Sequence, residues 1–99
     1  MMSDLPAELP ALSAKNIHIG DLDGPGGTHC LVGWVYASSR IDVQRKRLAV
    51  ALDAAAGLRR ASGFNDHNPP AKSARLWNHV AKSLGYVREG KRFVLPEKR

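Results

Sequence analysis

The sequence predicts an α+β domain that is mostly helical, with three helices around a central buried helix and a short C-terminal β-hairpin. Three stretches carry apolar residues at helical spacing, which predicts the helices. The first stretch is apolar on nearly every side, so we expect it to form the buried centre of the fold. Near the C-terminus, two short apolar runs flank a glycine, which indicates a hairpin.

The first predicted helix follows a glycine-rich loop over residues 24–27. Thr28 comes directly after this loop, and its hydroxyl can accept a hydrogen bond from a first-turn N–H, so Thr28 is the expected N-cap. The helix then covers about residues 29–38. Gly33 in its middle costs up to about 1 kcal/mol relative to alanine. The close approach of a neighbouring helix would explain why a glycine stands there.

The second predicted helix covers about residues 43–62. Asp42 is its expected N-cap, and Gly63 is expected to end it in a left-handed conformation. Apolar residues at helical spacing form its expected inward stripe: Leu48, Ala51, Leu52, Ala55 and Leu58.

The third predicted helix begins at Ala71 or Ser73, after a loop over residues 64–70, and ends at Leu84. Its apolar residues share one face, and its opposite face is basic. Gly85 is a natural C-terminal stop. The hairpin then covers residues 86–94, with its turn at Glu89 and Gly90. In the loop, we expect Asn65 or Asp66 to bind backbone groups and to fix where the helix begins.

Ninety-nine residues are enough for one domain with a single core. We expect residues 1–16 to form a loose N-terminal arm or short helical turns, because Pro10 would break a longer helix. Residues 17–95 are the predicted compact domain, and a short extended segment over residues 16–20 is expected where the arm joins it. Residues 96–99 form a basic tail.

Composition favours a cytoplasmic protein with no membrane association. No apolar run approaches the ~20 residues that a membrane-spanning helix needs. The start of the chain lacks the basic and apolar regions of a signal peptide. A single cysteine cannot form an internal disulfide, which is typical of a reducing compartment.

The positive charge lies almost entirely in the second part of the chain. Residues 1–39 contain one base and four acids, whereas residues 40–99 contain fourteen bases and five acids. This asymmetry predicts a surface for an acidic partner, either an acidic protein or nucleic acid. The bases expected to form it come from several elements: Arg45, Lys46, Arg59, Arg60, Lys72, Arg75, Lys82, Lys91 and Arg92. The loop before the third helix is too long for a helix-turn-helix, so sequence-specific DNA reading is not predicted.

Cys30 and His67 are the residues that would carry catalysis in this chain. A cysteine in the first turn of a helix is favoured as a thiolate, and a histidine oriented by Asn65 or Asp66 would deprotonate it, as in cysteine hydrolases. The alternative interpretation is that Cys30 is a small buried apolar residue, which is common for free cysteine. The histidines show no zinc-type spacing, so no metal and no cofactor is predicted.

Two short motifs stand in this chain. Gly27-Thr28-His29-Cys30-Leu31-Val32-Gly33 precedes Phe64-Asn65-Asp66, which an amphipathic helix follows. Within residues 26–84, these motifs resemble a family of small uncharacterised proteins of bacteria and their phages, which carry a Cys-Leu-x-Gly helix and a Phe/Trp-Asn-Asp loop. The resemblance implies a small, largely helical domain with no known activity. Small phage proteins often bind and block a host protein, so it also implies that role. The basic third helix and the hairpin depart from the family pattern.

The sequence therefore favours a small non-catalytic binding protein, an accessory or inhibitor protein that docks a basic surface on an acidic host protein. One alternative is a protein that binds nucleic acid independently of sequence. A second alternative, from a different class, is a Cys/His hydrolase that uses Cys30 and His67. The oligomeric state is left open.

Overall fold

The computed structural model describes residues 4–20 and 23–96. Within these ranges the chain forms seven regular elements in an α+β, mostly helical arrangement, which confirms the predicted fold class. The strands are β1 (Glu8–Pro10), β2 (Val87–Glu89) and β3 (Arg92–Val94). The helices are α1 (Leu31–Ser38), α2 (Asp42–Ala56), α3 (Arg60–His67) and α4 (Pro70–Ser83). Short 3-10 turns lie at Ala14–Asn16, Pro25–Gly27 and Gly57–Arg59.

The three strands form one antiparallel sheet in the order β1-β3-β2. Strands β2 and β3 are the predicted hairpin, and Gly90 in its turn has a φ of 64°. Strand β1 comes from the N-terminal stretch that the sequence predicted as a loose arm or short turns. It pairs with β3 so that Leu9 lies opposite Phe93, a residue with no exposed surface.

Helix α1 begins later than the sequence predicted. The expected N-cap, Thr28, instead donates its hydroxyl to the Pro25 carbonyl at 2.9 Å. The backbone of His29 pairs with the chain around Ile17, donating to the Asn16 carbonyl at 3.1 Å and accepting from the His18 N–H at 2.9 Å. This extended pairing excludes a helical turn, so the first helical residue is Leu31 and Cys30 becomes the N-cap.

The single helix predicted over residues 43–62 is divided into α2 and α3. Helix α2 ends at Ala56, because Gly57 adopts a φ of 80°, and α3 begins at Arg60. Gly63, the expected terminator, lies inside α3. Asp42 is the first residue of α2 rather than its N-cap, a position taken by Ile41. Residues 64–67 of the predicted loop belong to α3.

Helix α4 matches the sequence prediction closely. Pro70 occupies its first position, where a missing N–H has no cost. At its end, the Gly85 N–H donates to the Lys82 carbonyl at 3.0 Å and the Tyr86 N–H donates to the Ala81 carbonyl at 3.1 Å. These two bonds form a Schellman motif, which Gly85 permits through its φ of 102°.

One hydrophobic core joins all the helices to the sheet. Its members come from every part of the described chain: Leu9, Leu12, Ile17, Leu31, Val35, Leu48, Leu52, Ala61, Ala74, Trp77, Val80, Ala81, Tyr86 and Phe93. Leu58, which the helical spacing predicted to face inward, is fully exposed. The division of the second helix explains this, because the register of α2 does not continue past Ala56.

Side chains of the helices hold the N-terminal segment, by which we mean residues 5–18. The indole of Trp77 donates to the Pro10 carbonyl at 2.8 Å. The amide of Asn78 bonds both the N–H and the carbonyl of Leu12, at 2.9 and 2.8 Å. The hydroxyl of Tyr86 donates to the Pro6 carbonyl. This irregular backbone therefore finds its hydrogen-bond partners in side chains as well as in short backbone pairings with β3 and with His29.

Candidate functional site

Helix α2 has three faces, and one of them packs in the buried core. One face of the helix carries the core residues Leu48 and Leu52. A second face borders a groove between α1, α2 and α3. A third, outer face carries Val43, Arg47 and Val50, which follow helical spacing and are all exposed.

The groove has a volume of about 550 Å³ and an apolar floor. Val32 and Val35 of α1, Leu52 of α2 and Ala61 of α3 contribute to this floor. Charged side chains of both signs line it as well: Asp42, Arg45, Lys46, Asp53 and Arg60. A concave apolar site with a few polar groups is the ordinary form of a binding site in proteins.

Arg45 is held in place by the connection between α1 and α2. Its Nε donates to the Ser39 carbonyl at 2.6 Å, and its guanidinium lies 4.7 Å from the centre of the Tyr36 ring. Ser39 is itself buried, and its hydroxyl bonds the Gln44 side-chain oxygen at 2.6 Å. Arg45 and Tyr36 therefore form a stacked cation–π pair at the groove with limited freedom of movement.

The two carboxylates of the groove were not among the residues predicted for the site. Asp53 Oδ1 accepts a hydrogen bond from the Ala61 N–H at 2.8 Å, which ties the start of α3 to α2. Asp42 lies in the first turn of α2 and is exposed. The face of α2 that borders the groove carries four residues at helical spacing: Asp42, Lys46, Ala49 and Asp53. That spacing was visible in the sequence, but only the division of the second helix shows that it faces an open groove.

The outer face of α2 combines exposed valines with cations. Val43 is 47% exposed and Val50 is 57% exposed. They line a shallow hollow together with Lys46, Arg47 and one acidic residue, Asp4. Because Lys46 also lines the groove, the two hollows are neighbours on the surface.

The turn between α2 and α3, residues 57–60, projects an apolar side chain into solvent. Leu58 has a relative exposure of 106%, so it makes no appreciable contact with the rest of the protein. Gly57 and Arg60 have φ values of 80° and 59°. For Arg60 this φ, combined with a ψ of −178°, is a conformation that residues with a Cβ rarely adopt. We call the groove, the outer face of α2 and this turn together the α2 surface.

The predicted basic residues lie in three places. Arg45, Lys46 and Arg60 line the groove, and Arg59 lies beside it in the α2–α3 turn. Lys72, Arg75 and Lys82 are exposed on the outer side of α4. Lys91 and Arg92 are exposed on the hairpin, where Arg92 pairs with Glu8 at 3.2 Å. The α4 and hairpin residues do not line the groove.

The residues considered for catalysis have structural partners. Cys30 is buried, and its sulfur accepts a hydrogen bond from the Gly33 N–H at 3.4 Å. Asn65 has no exposed surface; its Oδ1 accepts from the Leu31 N–H and its Nδ2 donates to the His18 carbonyl, both at 3.0 Å. His67 is the last residue of α3 and is exposed. The Asn65 amide therefore joins the start of α1 at Leu31 to the N-terminal segment at His18 and does not bind the His67 ring.

His29 has a carboxylate partner. His29 Nδ1 lies 2.7 Å from Asp23 Oδ1, and its ring meets the edge of Trp34 with 4.6 Å between centroids. Over residues 4–20 and 23–96, no group of three His, Cys, Asp or Glu side chains could hold a metal ion. Within the same ranges, every helix is too short or too polar to cross a bilayer.

Comparison of the chain with family models, with curated proteins and with solved structures gave no match. The resemblance to small bacterial and phage proteins, carried by the Cys30 and Asn65 motifs, stays a prediction.

Proposed function

We propose that this protein is a small non-catalytic binding protein, an accessory or inhibitor protein whose α2 surface docks on an acidic surface of another protein. The observation that carries the proposal is the exposure of large apolar side chains next to cations. Tyr36, Val43 and Val50 are all about half-exposed, and each lies beside Arg45, Lys46 or Arg47.

The apolar side chains favour a protein partner over nucleic acid. Contacts with a phosphate backbone use cations and hydrogen-bond donors and gain little from exposed valines. Protein interfaces, in contrast, are enriched in aromatic residues and arginine and bury apolar side chains at their centre. A stacked Arg–Tyr pair at the groove and two exposed valines on the neighbouring outer face of α2 together have this composition.

The charge of the chain favours an acidic partner. Residues 40–96 contain twelve Lys and Arg residues against four Asp and Glu residues. Such an excess attracts an acidic surface over distances of about 10 Å at ordinary ionic strength. The proposal places the protein in the cytoplasm, where its single cysteine stays a thiol.

Affinity capture followed by titration tests this function. The tagged protein is incubated with a nuclease-treated extract of its native host, and the dominant captured protein is identified, purified and titrated. Val50→Asp and Lys46→Glu should each weaken binding by about tenfold or more, since buried interface side chains carry most of the affinity. Val87→Asp is the matched control, because Val87 is also half-exposed but lies on the hairpin.

Two results would contradict the proposal. One is that no protein survives nuclease treatment in the captured fraction. The other is that the purified partner binds Val50→Asp and Val87→Asp as tightly as the wild type. Affinity for the true partner should also fall as salt is raised, because screening weakens attraction between opposite surface charges.

A second candidate function, nucleic-acid binding independent of sequence, rests on helix α4. Its exposed side carries Lys72, Arg75, His79 and Lys82 at helical spacing, and no acidic residue occurs between Asp66 and Glu89. A row of three cations, Lys72, Arg75 and Lys82, without interspersed acids fits a phosphate backbone. The row is about 15 Å long, from the rise of an α-helix.

Two triple variants of equal charge separate the candidates. Lys72→Glu, Arg75→Glu and Lys82→Glu alter α4, whereas Lys46→Glu, Arg47→Glu and Arg59→Glu alter the α2 surface. Nucleic-acid binding through α4 predicts that a short DNA duplex or RNA strand is retained at low salt by the second variant only. Equal retention by both variants, or none by the wild type, would exclude this candidate.

A further inference from the structure

The groove combines an apolar floor with an excess of cations. Val32, Val35 and Leu52 contribute aliphatic side chains to the floor. Five charged residues line the groove, and three of them are cations: Arg45, Lys46 and Arg60. The volume of about 550 Å³ lies within the range of about 300–1,000 Å³ that is typical of ligand sites. The groove therefore has room for a large apolar side chain together with charged residues on either side of it.

The cations of the groove have no anionic partner in the described chain. The ion pairs of residues 4–20 and 23–96 lie elsewhere, at Asp23 and at Glu8. The guanidinium of Arg45 is held by the α1–α2 connection, and its Nη1 makes no hydrogen bond to a described residue. The other two cations, Lys46 and Arg60, are exposed. A carboxylate that enters the groove can therefore pair with them without displacing an existing ion pair.

The two carboxylates of the groove are stabilised by the protein itself. Asp53 Oδ1 accepts a hydrogen bond from the Ala61 N–H at 2.8 Å, so it already has a donor. Asp42 lies in the first turn of α2, where the free N–H groups of the helix favour a negative charge. The cations face the groove without such compensation. The groove is therefore complementary to a ligand that is more acidic than basic.

We propose that the groove receives an acidic and apolar segment of the partner protein, with one leucine-sized side chain on the floor and carboxylates on both sides of it. This inference rests on the proposed function and names the part of the acidic partner that fills the groove. Arg45 and Lys46 belong to α2, whereas Arg60 begins α3, so cations stand on two walls of the groove. Acidic side chains before and after the apolar one can each meet a cation.

A short synthetic peptide tests this chemistry without the partner. It contains one leucine with two glutamates on each side and has blocked ends, and it is titrated into the isotope-labelled full chain. Its dissociation constant should be about 0.1–1 mM, the range of weak complexes. The NMR signals that shift should be those of groove residues such as Val35, Ala49 and Ala61.

Two control peptides separate the apolar and the acidic contributions. A peptide with serine in place of leucine should bind about tenfold more weakly or worse, because nothing apolar covers the floor. A peptide with lysines in place of the glutamates should not bind, because its charge has the same sign as the excess in the groove.

Ala49→Phe should close the groove from within. Ala49 is half-buried and lines the groove, so the larger side chain occupies the space of the peptide and should weaken its binding by about tenfold or more. Ala54→Phe is the matched control, because Ala54 is an exposed alanine of the same helix that does not line the groove. It should leave the affinity unchanged.

Two single-charge variants that spare the apolar floor should act with opposite sign. Lys46→Gln removes a cation of the groove and should weaken peptide binding by about two- to fivefold. Asp42→Asn removes a repulsive carboxylate one helical turn away and should strengthen binding by a similar factor. Both residues are exposed, so neither change should disturb the fold. A loss of affinity with Asp42→Asn would overturn the proposal, because the groove would then attract a cation.

Three further results would overturn this inference. They are the absence of binding at about 5 mM peptide, equal binding of the leucine and serine peptides, and equal effects of Ala49→Phe and Ala54→Phe. If the peptide fails but a captured partner still distinguishes Val50→Asp from the wild type, the groove proposal falls and the proposed function stands. If the peptide binds in the groove but no partner is captured, the proposed function falls and the preference of the groove for acidic, apolar segments stands.

Discussion

Leu9 and Leu58 belong to the two regions of the molecule that differ most. Leu9 lies in the N-terminal segment, in a strand of three residues, and only 3% of its surface is exposed. Leu58 lies in the α2–α3 turn and is fully exposed. The segment with the least regular backbone is thus deeply integrated in the fold, whereas the turn at the end of the longest helix projects away from it.

The difference follows from where each region finds its hydrogen bonds. A helix satisfies most of its backbone groups internally, so the outward side chains of α2 have no structural task and are available to a partner. The N-terminal segment pairs with distant backbone in β3 and around His29, and Trp77, Asn78 and Tyr86 bond the carbonyls of Pro10, Leu12 and Pro6.

The largest expected effect is the difference in stability between alanine variants of the two leucines. Leu9→Ala should lower the free energy of unfolding by about 2–5 kcal/mol, because it leaves a cavity against Phe93. Leu58→Ala should change it by less than about 0.5 kcal/mol, since an exposed side chain loses no packing. Urea unfolding of both variants measures the difference. Similar losses would show that the turn packs on the core in solution.

Asn65→Ala should be the next most damaging change. It removes the partners of the Leu31 N–H and the His18 carbonyl, and each unsatisfied buried group costs about 1–3 kcal/mol. The control is Asn68→Ala, which removes one half-buried bond to the Phe64 carbonyl and should cost about 1 kcal/mol. Thermal unfolding of both variants checks the order. An equal loss in the two would contradict the role of Asn65 as a bridge.

Tyr86→Phe should cost about 1–2 kcal/mol, because the Pro6 carbonyl loses its donor. Burial raises the pKa of Tyr86 to about 12, whereas the pKa of an exposed tyrosine is about 10. The folded state therefore favours the protonated phenol, and this stabilisation is complete below about pH 10 and is lost as the pH rises toward about 12.

Urea unfolding at successive pH values tests this dependence. The difference in stability between the wild type and Tyr86→Phe should be constant up to about pH 10 and should shrink above it. Lysine and arginine titration affects both proteins and cancels in the comparison. A difference that stays constant to about pH 12 would mean that the phenol is not buried.

The smallest expected effect is a gain in stability at the α2–α3 turn. Arg60→Gly should raise the free energy of unfolding by about 1 kcal/mol, because glycine adopts a φ of 59° without strain. Arg59→Gly is the matched control; with a φ of −79° at that position, glycine should lower stability by a similar amount. If thermal unfolding shows that both variants change the stability in the same direction, the backbone of Arg60 is not strained.

Local signals in the sequence predicted much of the helical part of the fold. The apolar face of α4 and the stop at Gly85 follow from residues that are close in the chain, and both were located. Strand β1 was missed because its partner lies more than eighty residues away and its three residues include Pro10. The end of α2 was misplaced because an alanine run favours helix and either Gly57 or Gly63 could have ended it.

The candidate site was predicted only in its charges. Arg45, Lys46 and Arg60 line the groove, as members of a basic surface would. The exposure of Leu58 could not be foreseen, because it depends on the break at Gly57 that shifts the helical register. The two hydrogen bonds of the Asn65 side chain could not be predicted either, since its partners lie 34 and 47 residues away in the chain. Helical spacing reports which residues share a face, but not what that face meets.

The pairing of β1 with β3 has a consequence for how the chain is made. Leu9 is synthesised early and Phe93 late, yet they lie opposite each other in the sheet. During synthesis β1 therefore cannot pair with β3 until nearly the whole described chain has left the ribosome. Contacts between such distant residues form slowly because a long loop must close first. We expect α1–α4 to collapse together first and the sheet to close as the final step of folding.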